Sequence, residues 1–314
     1  MDFRNLGQSG LRVSTIGLGC NNFGGRLDEA GTRAVIHKAL DLGITLFDTA
    51  DVYGDRGGSE TLMGRVLGAD RKKIILATKF AAPMDEAGEK IGGSRRYIMQ
   101  AVEDSLRRLQ TDYIDLYQMH RVDPLTPIEE TLRALDDLIR QGKVRYIGCS
   151  NFPAWMMVDA AWTARSCGLN GFVSCQDEYS LIHRDPEIDL IPAARKLGFG
   201  LLPYFPLASG LLTGKYRRNV ALPTGTRFAG TQRLADRYLT ERNWAMAERL
   251  GDFVEARGRT MLELAFSWLL AQQPVASVIA GATRPEQVEQ NVKAGSWVLS
   301  AEELEEVNRL ASAP

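Results

Sequence analysis

The chain has 314 residues, with 38 Lys and Arg against 39 Asp and Glu, and a formal net charge of -1. This balance argues against a dedicated nucleic-acid binder, and 45% hydrophobic against 25% charged residues argues against disorder. Four Cys without a Cys-x-x-Cys pair and only three His give neither a zinc pattern nor a disulfide framework. That usage predicts a reducing, cytoplasmic setting and no metal requirement. The first residues, Met1-Asp-Phe-Arg-Asn-Leu-Gly7, lack the apolar core of a signal peptide. The most membrane-like stretch, Leu264 to Ala282, is interrupted by Gln272, Gln273 and Pro274, so it reads as a buried helix, a turn and a strand.

In chain order, Phe3–Leu6 and Leu11–Ser14 flank Gly7-Gln8-Ser9-Gly10 and predict a β-hairpin at the bottom of the fold. Short apolar runs then predict strands at Ile16–Gly19, Thr45–Asp48, Ile74–Lys79, Ile114–Gln118, Tyr146–Ser150, Val173–Gln176, Phe199–Pro203 and Val278–Ala280. They lack strict alternation, as parallel strands buried on both faces do. Amphipathic stretches predict helices at Thr32–Leu42, Arg95–Leu109, Pro127–Gln141, Glu241–Arg257 and Met261–Ala271. Trp155, Met156, Met157 and Trp162 read as one helix face, and Ser300-x-x-Glu303 as a capping box opening a last helix.

Six of the seven intervals between strand starts run from 26 to 40 residues, one compact strand–helix unit each. The seventh spans 79 and contains an insertion from about Ala208 to Leu239. The pattern predicts an α/β (β/α)8 TIM barrel with an N-terminal β-hairpin and a long insertion after strand 7, one domain over residues 1–314. A doubly wound sheet is the alternative, since spacing alone does not prove closure.

Active sites of such barrels lie at the carboxyl ends of the strands. There the sequence places Asp48, Tyr53, Lys79 and His120, after three successive strands. Each alone has an ordinary structural reading, as a cap, a rim charge or a rim histidine. Together they suit reduction of a carbonyl, in which negative charge grows on oxygen and a proton must be delivered. A tyrosine ionises near ~10, and an adjacent ammonium is expected to lower that value. A buried Lys79 needs a counter-ion, which Asp48 supplies.

No Gly-x-Gly-x-x-Gly run is present, because Gly17, Gly19 and Gly24 are mis-spaced, and Gly210 to Tyr216 is not a P-loop. The insertion instead carries Lys215, Arg217, Arg218, Arg227 and Arg233 with no acid from Lys215 to Arg233, which suits an anion clamp. Thr283-Arg284-Pro285-Glu286 reads as a helix start with a Thr-x-x-Glu box, and its free N–H groups with Arg284 suit a phosphate. Cys149 reads as a packing residue. Phe23, Tyr53, Phe80, Trp155 and Phe228 are candidate pocket residues.

These motifs resemble the aldo-keto reductase family. The resemblance rests on Asp48-Thr-Ala-Asp-Val-Tyr53-Gly with Ser59-Glu60, Thr78-Lys79, Leu116-Tyr-Gln-Met-His120, Gly148-Cys-Ser150-Asn151, Pro206 to Tyr216, and Gly281 to Asn291. It implies Tyr53 as proton donor with Asp48, Lys79 and His120, and NADP(H) as cofactor. It further implies that Ser150, Asn151 and Gln176 hold the nicotinamide carboxamide and that Tyr204 stacks on its ring. Lys215 and Arg227 would contact phosphates, Arg284 the 2′-phosphate, Thr283, Gln287 and Asn291 correspond to adenosine-end positions, and Leu207, Ser209 and Gly281 are further cofactor-binding positions. The tail is similar to the bacterial and potassium-channel β-subunit-like branch, with Gly281-Ala282 where the aldose-reductase branch has Lys-Ser. The implied partner is a small-molecule carbonyl substrate, with no nucleic acid and no membrane. A Schiff-base aldolase using Lys79 and a nucleotide-binding redox-sensing subunit are the alternatives.

Overall fold

Eight short apolar runs pair side by side in parallel. The computed structural model, which describes residues 1–312, places them as β3 (Ile16–Gly19), β4 (Leu46–Asp48), β5 (Ile75–Phe80), β6 (Ile114–Met119), β7 (Val144–Ser150), β8 (Ser174–Gln176), β9 (Gly200–Leu201) and β10 (Val278–Gly281). They follow the hairpin strands β1 (Phe3–Asn5) and β2 (Arg12–Ser14). The sheet runs β10-β3-β4-β5-β6-β7-β8-β9. Three backbone bonds join its ends: Leu201 N–H donates to Pro274 O at 3.0 Å, Ala276 N–H to Leu201 O at 2.9 Å, and Ile279 N–H to Pro203 O at 3.1 Å. The sheet is therefore a closed barrel without a free edge, as the spacing predicted. Strand seven is shorter than expected, because Pro203 offers no N–H to extend the ladder.

The outer layer comprises α1 (Glu29–Asp41), α2 (Tyr53–Leu67), α3 (Arg95–Leu109), α4 (Ile128–Arg140), α5 (Ala154–Ser166), α6 (Leu190–Leu197), α7 (Gln232–Tyr238), α8 (Glu241–Glu255), α9 (Met261–Ala271), α10 (Pro285–Ala294) and α11 (Ala301–Ser312). Local signals set several boundaries. Asp28 accepts the Gly31 N–H at the start of α1, Thr260 and Glu263 form a capping box at α9, and Ser300 with Glu303 does so at α11. Among the described residues no helix is long and apolar enough to cross a membrane. Leu264 to Ala282 comprises most of α9, a turn and β10, as expected.

Two expected helix features differ. The Thr283 box does not form: Arg284 is the cap residue, and both the N–H and the hydroxyl of Thr283 donate to Gln287 Oε1, at 2.7 and 3.1 Å. Pro285 starts α10 one residue later than the box requires, so Gln287, not Glu286, reaches back. On α5, Met157 is buried, but Trp155 and Trp162 are 68% and 58% exposed, so the four residues do not form one packed face.

Leu6 and Val13 of the hairpin close the barrel floor against Leu46, Ala77, Leu116, Leu202, Ala276 and Ile279. Gly7 makes this seal possible. Its φ is +59°, and a Cβ there would lie 2.3 Å from Gly198 O and 2.6 Å from Gly200 N. Gly7→Ala is expected to destabilise the fold by at least about 2 kcal/mol in denaturant unfolding. Gly251→Ala, in α8 with nothing within 4 Å of the new methyl, is expected to stabilise it by up to about 1 kcal/mol. Equal effects at the two sites would contradict the floor assignment.

Candidate active site

The strand ends bring Asp48, Tyr53, Lys79 and His120 together. Asp48 ends β4, Lys79 lies near the end of β5, His120 follows β6, and Tyr53 opens α2. Lys79 is fully buried, its Nζ 2.6 Å from Asp48 Oδ2 and 3.0 Å from Thr49 O. The other Asp48 oxygen, Oδ1, accepts from Gln118 Nε2 at 3.1 Å and Gln176 Nε2 at 2.9 Å. A buried ion pair is tolerable only when donors and acceptors are satisfied in this way. Lys79 Nζ sits 5.1 Å from the Tyr53 ring centre, and the Tyr53 and His120 rings meet edge-on at 5.7 Å.

The charges follow from these surroundings. Burial pulls the Lys79 ammonium pKa down, but Asp48 and Tyr53 outweigh it and hold the group above its ordinary value. Burial raises the Tyr53 pKa, and the Lys79 charge only partly opposes that rise. The expected net lowering of Tyr53 is thus corrected: desolvation of a phenolate beside Asp48 outweighs the ammonium. Burial, with Lys79 and Arg121, pushes His120 down to about 3, leaving a neutral imidazole at ordinary pH.

Tyr53 is fixed by the chain that follows it. Gly54, Asp55, Arg56 and Gly57 all have positive φ, from 59° to 120°. A Cβ at Gly54 would lie 2.4 Å from Phe23 O, and one at Gly57 2.7 Å from the Arg108 side chain. Arg108 Nε in turn donates to the buried Glu60 at 2.7 Å, and Thr78 Oγ1, next to Lys79, donates to Glu60 at 2.6 Å. Asp51, 1% exposed, has neither carboxyl oxygen paired, and burial followed by Glu60 raises its pKa to about 8.

The second group of sequence candidates adjoins the first. Asn151 Nδ2 donates to His120 O and to Ser150 Oγ, both at 2.9 Å, and Tyr204 OH donates to Asn151 Oδ1 at 2.8 Å. Ser150 Oγ donates to Gln176 O at 2.8 Å. Hydrogen bonds therefore connect Ser150, Asn151, Gln176 and Tyr204 to the His120 and Asp48 positions.

The remaining candidates flank this network. After Leu207 the chain turns through Ser209 and Gly210, with φ of 57° and 110°. Lys215 Nζ lies 5.0 Å from the Tyr216 ring centre, and the half-buried Arg227 guanidinium lies 5.6 Å from that of Phe205. Among the described residues, no carboxylate pairs with Lys215, Arg227 or Arg284. Burial, and Arg26 after it, depress the Arg227 pKa, as expected for a cation facing another cation. Gly281 ends β10, Asn291 is buried on α10, and the N-terminus of α10 carries no side-chain cap.

Not every basic residue of the insertion is free. Arg218 is held by Glu241 at 2.5 Å and Glu248 at 3.0 Å, acids of α8 that follow the basic stretch, so it is removed from the anion clamp. The insertion is tied to the barrel rim by Glu178, which accepts from Arg237 at 2.5 Å and from Tyr238. Of the five aromatic pocket candidates, only Tyr53 joins the site. Phe23, Phe80 and Phe228 are buried core residues, and Trp155 lies exposed on α5. Sequence reasoning gave no role to Gln118, Glu60 or Arg108. Gln118 had a signal, a polar residue inside the apolar run Leu116 to Met119.

The sequence profile of the aldo/keto reductase family matches residues 15–312, and the chain belongs to that family. It is 38% identical over 324 residues to an oxidoreductase of Bacillus subtilis, YrpG, covering 100% of this chain and 97% of that one. It is 37% identical over 301 residues to a probable voltage-gated potassium channel subunit beta of Arabidopsis thaliana, covering 94% and 91%. It is 35% identical over 319 residues to the L-glyceraldehyde 3-phosphate reductase of Escherichia coli K12, covering 98% and 92%. The chain is therefore an oxidoreductase of a family whose members generally use NAD(P)H.

The buried acids and His120 pull stability in opposite directions. Unfolded, His120 takes up a proton near 6.5, but folded only near about 3, so its share of stability is lost as pH falls from 6.5 towards 3. Asp51 holds a proton up to about 8 when folded but releases it near 3.8 when unfolded, so stability falls as pH rises between those values. Asp51→Asn is expected to remove that decline, with a slope change of up to about 1.4 kcal/mol per pH unit in unfolding measured from pH 5 to 8. The same slope in variant and wild type would contradict the buried, unpaired placement of Asp51.

Proposed function

We propose that the protein reduces aldehydes or ketones to alcohols with NADPH, and that Tyr53 supplies the proton. The observation that carries this reading is the sealed Asp48–Lys79 pair beside Tyr53 and a neutral His120. The residues present also suit the nucleotide: unpaired Lys215, Arg227 and Arg284 and the uncapped start of α10 offer cations and N–H donors to phosphates. Ser150, Asn151 and Gln176 would hold its carboxamide and Tyr204 its ring. Leu207 and Ser209 would line the phosphate side, and Gly281, Thr283, Gln287 and Asn291 the adenosine end. When bound, the nicotinamide supplies the hydride that reduces the carbonyl carbon.

In this reading the neutral His120 hydrogen-bonds the carbonyl oxygen and orients it. The Tyr53 hydroxyl stays protonated through the neutral range, because burial keeps its pKa high, and donates to the oxygen as negative charge develops. The Lys79 ammonium stabilises the phenolate left behind, and Asp48 keeps Lys79 charged and in place. A protonated, fully buried Lys79 is a poor nucleophile, which disfavours the Schiff-base alternative. The partner is a small-molecule carbonyl compound, in keeping with the aldehyde named for the Escherichia coli relative; the cysteine usage favours a cytoplasmic setting.

Tyr53→Phe is expected to lower the single-turnover rate by about 10²–10⁴-fold with NADPH affinity nearly unchanged. Wild-type hydride transfer in a folded, NADPH-bound Tyr53→Phe protein would sink the assignment. For the cofactor, Arg284→Ala should weaken NADPH binding roughly ten- to a hundred-fold and NADH binding far less. An equal loss for both would remove Arg284 from the 2′-phosphate site.

A further inference from the structure

His120 is followed directly by a cation. Arg121 leaves the carboxyl end of β6 on the rim where Asp48, Tyr53, Lys79 and His120 meet, and it is exposed. Among the described residues it pairs with no carboxylate, donates no hydrogen bond and stacks on no ring. Its charge nevertheless reaches the site: after burial and Lys79, it helps to keep the His120 imidazole neutral.

The acid closest to it in sequence is committed elsewhere. Asp123 Oδ2 accepts from the Gly93 N–H and from Thr126 Oγ1, both at 2.7 Å, and its Oδ1 accepts from the Leu125 N–H at 2.9 Å. Three donors thus hold that carboxylate within its own loops, and Arg121 stands on the rim without a counter-ion.

The nucleotide phosphates do not account for it. Around the closed barrel β6 is the fourth strand counted from β3 and β10 the eighth, so their ends face each other across the mouth. Lys215 and Arg227 lie in the insertion after β9, and Arg284 follows β10. The cations offered to the phosphates therefore stand across the mouth from Arg121. Asn151, Gln176 and Tyr204, proposed to hold the nicotinamide, lie between the two sides at the ends of β7, β8 and β9. What lies nearest Arg121 is the remainder of the substrate, beyond the carbonyl oxygen assigned to His120 and Tyr53.

A guanidinium takes the paired oxygens of a carboxylate or a phosphate in fork geometry. Resting on the reductase reading above, we propose that the preferred substrate is an anionic carbonyl compound, with a carboxylate or phosphate a few bonds from the carbonyl carbon, and that Arg121 receives that group. The anionic group takes no part in the chemistry, so its contact is the same before and during hydride transfer and acts on KM rather than on kcat.

The test is kcat/KM with NADPH for two matched pairs, succinic semialdehyde against butanal and glycolaldehyde phosphate against glycolaldehyde. In at least one pair the anionic member is expected to exceed its neutral counterpart by roughly ten- to a hundred-fold, and the pair that shows it tells carboxylate from phosphate. Arg121→Gln should bring that ratio close to one, chiefly through KM, and Arg121→Lys should keep part of it. Arg121 makes no contact that the fold depends on, so both variants are expected to fold. Equal kcat/KM within both pairs, or a preference that survives Arg121→Gln, overturns the proposal and leaves the reductase reading standing. No reduction of any of the four overturns the reductase reading, and the proposal with it.

Discussion

A lysine ammonium and an aspartate carboxylate, both out of water, impose the main constraint on this barrel. Separating Lys79 or Asp48 from solvent is unfavourable by several kcal/mol per ion, and only close pairing with full hydrogen bonding offsets it. The chain meets that demand by drawing on four strands. Asp48 comes from β4, Lys79 from β5, and the two amide donors to the carboxylate from β6 and β8. One carboxylate thus ties together the carboxyl ends of half the barrel. The amino-terminal end is closed by different means, apolar packing of Leu6 and Val13 under a glycine that admits no side chain.

The loops around the pair inherit its rigidity. Tyr53 stands where α2 begins, and the left-handed turn that follows it packs closely, Gly54 against Phe23 and Gly57 against Arg108. Two of those four residues, Asp55 and Arg56, bear side chains in a backbone region that disfavours them by roughly 1–2 kcal/mol each. Such strain persists only when the surroundings over-determine it. Here Glu60 connects Arg108 to Thr78, and so connects the turn to the strand that carries Lys79. The insertion is fastened to the barrel rim by Glu178, and within it Arg227 is half-buried without a carboxylate partner.

Much of this was legible in the sequence, for identifiable reasons. Strands buried on both faces are short apolar runs, and the polar residue ending each run marks the face where chemistry occurs, so Asp48, Lys79 and His120 could be read from position alone. Helix α2 was not legible. Gly54, Gly57 and Gly58 break any apolar period, and the turn they allow depends on close approaches to Gly24, Phe23 and Arg108 that no local pattern encodes. The start of α10 was misread by one residue, because a box pattern does not specify which residue Pro285 makes the cap. The aromatic candidates failed for a plainer reason: Phe23, Phe80 and Phe228 carry no sign of whether they face a pocket or the core. Gln118 and Gln176 matter through one carboxylate that collects both, a coincidence of registers visible only once the barrel closes.

The central claim, that the Lys79–Asp48 pair organises this end of the barrel, is tested most directly by a double-mutant cycle on unfolding free energy. Lys79→Met and Asp48→Asn are each expected to destabilise by about 3–5 kcal/mol, because each strands a buried polar partner. The double variant should fall well short of the sum, with a coupling of about 2 kcal/mol or more. Additive losses would contradict the account and leave the pair as two independent buried groups.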